Sequence, residues 1–347
     1  MLHFFPRYDK DVSDQPFATE LRRLGVPHRF FGASLNLRYA TLPGLLLRVY
    51  PTLAWFALRS AVRSLLFSRP RPTAAVVGSD VEALVFGAIR LLFGLRTLIV
   101  FETLIITPRR SPRMDAIYRR YYALILSLID LAICHSSGEV ARYAREFPAS
   151  RCRFAFVPYG TTVTGAAGLM AATAAGGGMD GAIVAAGRSG RDYRTLAAAI
   201  AGLPCRLDII CDTAAAVAGI AASPQLRVVT GCFDRDYIAA VARALLVVVP
   251  LSVDDVSAGQ MVLLQAAALG KARVITRTAT TLEYASDGED ALFVAMGDVA
   301  AMREAIERLI ADPALRARLG ANAAARFERE HSTEAYVRGL VAAIGAP

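Results

Sequence analysis

Short apolar runs alternate with longer amphipathic stretches from one end of the chain to the other. In the first half, Leu2–Pro6, His28–Phe31, Ala74–Gly78, Thr97–Phe101, Leu131–Cys134 and Phe154–Val157 predict strands. In the second half, Ala182–Ala186, Arg206–Cys211, Leu226–Val229, Leu245–Val249, Arg273–Thr276 and Ala291–Val294 do the same. Between them apolar residues recur at i, i+3 and i+4, as in VARYAREF and VAAMREAIERLI, which is the spacing of one helix face. Continuous runs such as LLVVVP suit strands covered on both faces, as a parallel sheet flanked by helices requires.

The two series are separated by GTTVTGAAGLMAATAAGGGMDG, a stretch of small residues with little amphipathicity, which reads as a linker. The expected fold is α/β: two Rossmann-like, doubly wound domains facing across a cleft. Residues 1–160 form the first domain, 161–180 the linker and 181–330 the second domain, with 331–347 a last helix packing back on the first. The segment after Asp312 reads as helical, broken at Gly320 and again near His331-Ser332, with Ser332 the N-cap of the last helix.

Composition narrows this picture. Hydrophobic content of 55% and a mean hydropathy of +0.41 raise the question of membrane spans. The two most apolar windows are interrupted by Arg48, Arg59 and Arg63, and by Arg90, Arg96 and Glu102, so neither offers the ~20 uncharged residues a spanning helix needs. The start, MLHFFPRYDKD, does not have the form of a signal peptide. Cys134, Cys152, Cys205, Cys211 and Cys232 are scattered without a C-x-x-C pair, as reduced core thiols in a cytoplasmic protein would be. Residues 1–160 hold 22 Lys and Arg against 11 Asp and Glu, and the remainder 17 against 19. A basic first half points to an anionic partner: lipid headgroups at the inner face of a plasma membrane, to which the Leu45–Phe67 helix would attach peripherally, or a phosphorylated acceptor. The same composition also fits solvated faces and a buried crossover helix. No helix-turn-helix, zinc-finger or RNP pattern supports nucleic acid.

In open parallel sheets ligands bind beyond the carboxyl ends of the strands. Two segments of the second domain stand there. In IVAAGRSGRDYRTLAAAI a strand ends at Ala186 and Gly187-Arg188-Ser189-Gly190-Arg191 forms a loop before a helix. Guanidiniums at a helix start oppose its dipole unless an anion joins them, so Arg188 and Arg191 point to a diphosphate. In SAGQMVLLQAAALGKARVIT, Ser257, Ala258 and Gly259 open a helix whose first N–H groups form an anion site, extended by Gln260 and Met261. Gln265 lies eight residues past Ser257, about 12 Å along a helix, a span that fits a sugar, a diphosphate and a ribose. As an isolated residue, Gln265 reads equally as a polar position on the helix flank.

These segments, with LEYASDGEDALFVAMGD and LIADPALRARLGANAAARFEREHS, resemble the donor domain of GT-B glycosyltransferases, in the large retaining family 4 type that includes sucrose synthases. LIDLAICHSSGEVARYAREF and RCRFAFVPYGTT are similar to the end of that family's first domain. The resemblance is tight over 181–331 and loose before 130.

It implies transfer of a hexose, with retention, from a UDP- or GDP-linked sugar to a glycan or lipid-linked acceptor, with no metal or other cofactor. The family's two glutamates, eight positions apart, fall on Ser257 and Gln265, so the E-x7-E motif is degenerate; Gln265 can still hydrogen-bond a ribose. The diphosphate-neutralising Arg and Lys fall on Arg188 and Arg191. Asp212 and Asp254 lie in adjoining loops. Asp254-Asp255 also reads as a metal-binding pair, which the double Rossmann-type pattern disfavours. Glu102, where a histidine often stands, is expected at the cleft, orienting or deprotonating the acceptor hydroxyl; a structural salt bridge is the other reading. A glycosidase would need two flanking carboxylates, and a dinucleotide oxidoreductase a G-x-G-x-x-G that GRSGRD does not match. An inactive homologue that binds nucleotide sugar or partners an active transferase is the alternative that the missing glutamates support.

Overall fold

A computed structural model describes residues 1–7, 15–35, 45–109, 111–163, 165, 166, 168, 181–187, 190–232, 234–254 and 257–345. Most of the expected linker, Arg188, Ser189 and Asp255 therefore lie outside the described residues. The chain divides into two compact units, Met1–Val157 with Val337–Pro347, and Pro158–Tyr336.

The first unit runs β1 (Leu2–Phe4), α1 (Pro16–Arg23), β2 (His28–Phe30), α2 (Tyr50–Ala61), β3 (Ala74–Val77), α3 (Asp80–Leu92), β4 (Leu98–Phe101), α4 (Pro112–Leu128), β5 (Leu131–Cys134), α5 (Ser137–Glu146) and β6 (Arg153–Phe156). The second runs β7 (Ala182–Ala186), α6 (Tyr193–Ile200), β8 (Arg206–Cys211), β9 (Leu226–Thr230), α7 (Asp234–Arg243), β10 (Leu246–Val249), α8 (Gln260–Ala268), β11 (Arg273–Thr276), β12 (Leu292–Val294), α9 (Val299–Ala311) and α10 (Pro313–Arg326). α11 (Thr333–Ile344) closes the chain, and Arg338 pairs with Glu20 of α1 at 3.0 Å. All twelve expected strands are present, with ends shifted by a residue or two. Each sheet is wholly parallel, in the orders β2-β1-β3-β4-β5-β6 and β12-β11-β10-β7-β8-β9. The α/β class, with two parallel six-stranded sheets flanked by helices, is thus confirmed.

The helix starts follow from local chemistry. Asp192, Asp298 and Asp312 each accept the N–H three residues on, and Pro16, Pro112 and Pro313 stand in first turns where no intrahelical N–H is lost. Ser332 caps α11 as expected, accepting from the N–H of Ala335 at 3.3 Å. The strands of the second sheet form its core: every residue of β7, β10 and β11 is buried. Each fully buried Val, Leu or Ile side chain contributes roughly 1.5–3 kcal/mol. All five cysteines are free, and burial pushes the Cys152 thiol up to about 12, so it is inert.

Gly320 corrects one expectation. It does not break the helix: α10 runs through it, and the helical run ends only at Ser332, after a π-helical turn, Phe327–His331. Gly320 is there for closeness, since a Cβ would lie 2.0 Å from the Gly270 carbonyl oxygen. Gly320→Ala gains about 1 kcal/mol in helix propensity but drives a methyl into backbone that cannot yield, so a net loss of about 2 kcal/mol is expected in urea unfolding. Gly25→Ala, with nothing within 4 Å but φ +66°, is expected to cost only about 1 kcal/mol.

Candidate functional site

In the second sheet β7 and β10 are neighbours, and the strand order reverses between them. Chains leaving the carboxyl ends of such a pair diverge, which opens a crevice. Here the two loops are tied across it. The Asp192 N–H donates to the Pro250 carbonyl at 3.1 Å, the Ser252 N–H donates to the Gly190 carbonyl at 2.9 Å, and Arg191 bridges Leu251 in antiparallel fashion.

Two glycines make this approach possible. Gly187 takes φ +108°, and a Cβ there would meet the Arg191 Nη2 at 2.3 Å; Gly190 takes φ +62°, and a Cβ would meet Val253 Cγ2 at 2.5 Å. The Arg191 guanidinium therefore lies over Gly187, and its Nε donates to the Ala186 carbonyl at 2.7 Å. Burial lowers its pKa, and the Tyr193 and Tyr237 hydroxyls beside it oppose that shift. Tyr193 donates to the Gly187 carbonyl at 2.5 Å, and burial raises both phenols. Arg191 is thus built into the loop rather than projecting from it, and whatever it offers an anion comes from the Nη end.

On the β10 side, Gly259 caps α8 at φ +85° with no side-chain cap and no acid in the first turn. A Cβ on Gly259 would meet Val249 Cγ1 at 2.9 Å, so glycine lets the helix start directly against the strand end. An N-terminus without a carboxylate is where an anion is stabilised by the peptide dipoles. Ala258 and Gln260 are buried, Ser257 and Gln265 half-buried, and Met261 exposed. Asp254 anchors the loop: its Oδ1 accepts from the Ala279 N–H at 2.7 Å. Asp212 is exposed at the end of β8.

The sequence reading missed the supports of this arrangement. Thr276 Oγ1 accepts from the Leu251 N–H, and the Thr281 hydroxyl donates to the Thr276 carbonyl, fixing the turn after β11. The T-R-T-A-T-T run beyond an apolar strand was the available signal.

In the first unit, Glu102 is half-buried at the carboxyl end of β4, its N–H bonded to the Val77 carbonyl. Beside it in sequence, Thr103 Oγ1 lies 3.2 Å from His135 Nε2, and His135 Nδ1 lies 2.9 Å from the Val157 carbonyl. A carbonyl only accepts, so Nδ1 carries the hydrogen and Nε2 accepts from the threonine. At the next strand end, Glu82 closes a capping box with Ser79, legible as S-D-V-E: its Oε2 accepts from Gly78 N–H and the Ser79 hydroxyl. Burial raises its carboxyl pKa against the pull of Arg7, and the buried Oε1, without a hydrogen-bond partner among the described residues, is where a proton would reside. Among the described residues no three His, Cys, Asp or Glu are grouped to hold a metal ion, and no helix is long and apolar enough to cross a membrane.

Residues 221–326, from before β9 through α10, match the family model of group 1 glycosyl transferases. Across the whole chain the fold is similar to sucrose-phosphate synthase from Thermosynechococcus elongatus (19% identity, TM-score 0.67, covering 98% of this chain and 96% of that one). It is also similar to a UDP-forming α,α-trehalose-phosphate synthase from Burkholderia xenovorans (13%, TM-score 0.68, 99% and 98%). Anabaena Alr3699/HepE, solved in complex with UDP and glucose, matches at 13% identity and TM-score 0.63 over 100% and 99% of the chains. No curated protein sequence matches the chain. These likenesses establish the two-domain GT-B architecture.

Burial also sets a pH dependence. It pushes His3, His135 and His331 down to about 4, well below the ordinary 6.5. The unfolded chain therefore binds these protons first, so stability is whole above about pH 6.5 and falls by about 1.4 kcal/mol per pH unit per histidine as pH drops toward 4. Urea unfolding at stepped pH is expected to show this decline, with a shallower slope in His135→Gln.

Proposed function

We propose that the chain transfers a hexose, with retention at the anomeric carbon, from a UDP- or GDP-linked sugar to a hydroxyl of a glycan or lipid-linked acceptor. The carrying observation is the pair of tied loops at the β7/β10 reversal, with the Arg191 guanidinium on one side and the uncapped α8 N-terminus on the other. The match of residues 221–326 to a glycosyl transferase model supports the reading, as does a fold shared with a protein solved with UDP and with UDP-glucose.

The barrier to transfer is one of charge separation: the C1–O bond to phosphate breaks, an oxocarbenium-like sugar forms, and the acceptor oxygen then bonds to C1. Placed cations and amides stabilise the departing diphosphate without reorganising. Arg191, Arg188 and the amides of Gly259–Met261 take that role, so the reading invokes no metal. Gln265 meets the ribose and Ser257 a sugar hydroxyl, while Gly187, Asp212, Asp254, Ala258 and Gln260 line the donor. Glu102 orients the acceptor hydroxyl or takes its proton. We place this activity in polysaccharide or glycolipid assembly on the cytoplasmic side of a bacterial membrane. The alternative, a nucleotide-sugar binding protein without turnover, rests on Ser257 and Gln265 standing where carboxylates are expected.

Titration calorimetry with UDP and GDP tests the site. Arg191→Ala is expected to weaken the preferred nucleotide about 10- to 100-fold and Arg191→Lys less, since one charge remains without the fork; because Arg191→Ala also loses the bond to Ala186, affinities are compared well below its melting transition. Affinity untouched by either change would contradict the reading. Nucleotide binding without sugar transfer or donor hydrolysis, across several radiolabelled donors, would favour the alternative.

A further inference from the structure

α2 of the first unit continues at both ends into π-helical turns, Leu45–Val49 and Val62–Phe67, and it is apolar on two sides. One side carries Phe56, Ala61 and Leu65 into the core, where Phe86 of the adjacent α3 joins them. The other side presents Leu47, Trp55 and Leu58 to solvent, and α3 ends in exposed Leu91, Leu92 and Phe93. Leu47, Trp55, Leu91 and Leu92 are 66–80% exposed.

Charge identifies the occupant. From Leu21 through Ser79 there is no Asp or Glu, while Arg48, Arg59 and Arg63 are exposed on α2 and its flanking turns. Two copies of such a face would bring arginines together with no carboxylate from α2 to receive them, while on α3 Glu82 is buried and Asp80 is held by the Tyr121 hydroxyl. An anionic bilayer offers both a hydrocarbon boundary for the leucines and tryptophan and phosphates for the guanidiniums.

We propose that the outer face of α2 and α3 docks on an anionic lipid surface with Trp55 at the headgroup boundary. This gives a residue-level location to the membrane association expected from composition. It rests on the first unit alone, so its failure leaves the nucleotide-sugar reading intact.

Trp55 is the chain's single tryptophan and reports directly. With the full chain and phosphatidylglycerol/phosphatidylethanolamine vesicles at low salt, its emission is expected to shift to the blue, to be quenched by brominated acyl chains, and to revert as salt rises. Pure phosphatidylcholine vesicles should leave it unchanged. Arg59→Glu/Arg63→Glu should weaken partitioning at least about tenfold, and Leu91→Ser/Leu92→Ser should reduce quenching, each at unchanged thermal unfolding. Emission indifferent to anionic vesicles, or equal binding to phosphatidylcholine, overturns the proposal. A blue shift that follows protein concentration without lipid overturns it in favour of self-association.

Discussion

Two backbone hydrogen bonds, Asp192 N–H to Pro250 O and Ser252 N–H to Gly190 O, hold the candidate donor site together. Each is worth only about 1 kcal/mol net, but their geometry decides what surrounds them. Loops that diverge from adjacent parallel strands are drawn close enough that residue 190 must be glycine, and Gly187, at φ +108°, leaves room for the Arg191 guanidinium. Arg191 then folds over Gly187 toward the Ala186 carbonyl. Its charge is thereby held at the crevice floor, in a setting where burial strengthens its pull on an anion. Facing it, Gly259 starts α8 against the end of β10 with no acid in the first turn. Guanidinium and positive helix end belong to the two loops tied across one crevice, which is why an anion is proposed to bind there.

The first unit is built differently at its strand ends. His135 is held neutral with its tautomer fixed by a carbonyl, and Glu82 is locked into the start of α3. These groups are committed to the fold, whereas Glu102 at the end of β4 is the acid for which a role toward an acceptor is proposed. Three of the unit's exposed arginines, Arg48, Arg59 and Arg63, stand instead on α2 and its flanking turns, the face proposed above to meet lipid.

The strands were legible because parallel strands covered on both faces are largely continuous apolar runs, and LVVV and AIVAA meet that demand without help from distant residues. Helix caps were legible for the same local reason. Gly320 was misread because a glycine in a helical pattern signals a break only when nothing packs on it; its meaning came from Gly270, fifty positions away in the chain. The commitments of Arg191 to Ala186 and of Asp254 to Ala279 were invisible in residue types, since both depend on which loops the strand order brings together. Arg188 and most of the expected linker lie outside the described residues.

The most direct measurement of the central claim is amide hydrogen exchange with and without saturating UDP. Protection concentrated at Gly190–Asp192 and Gly259–Leu263, with β9 and α9 unchanged, is the predicted result. Protection confined to the first unit, or none in either segment, would contradict the assignment of the diphosphate to the β7/β10 crevice.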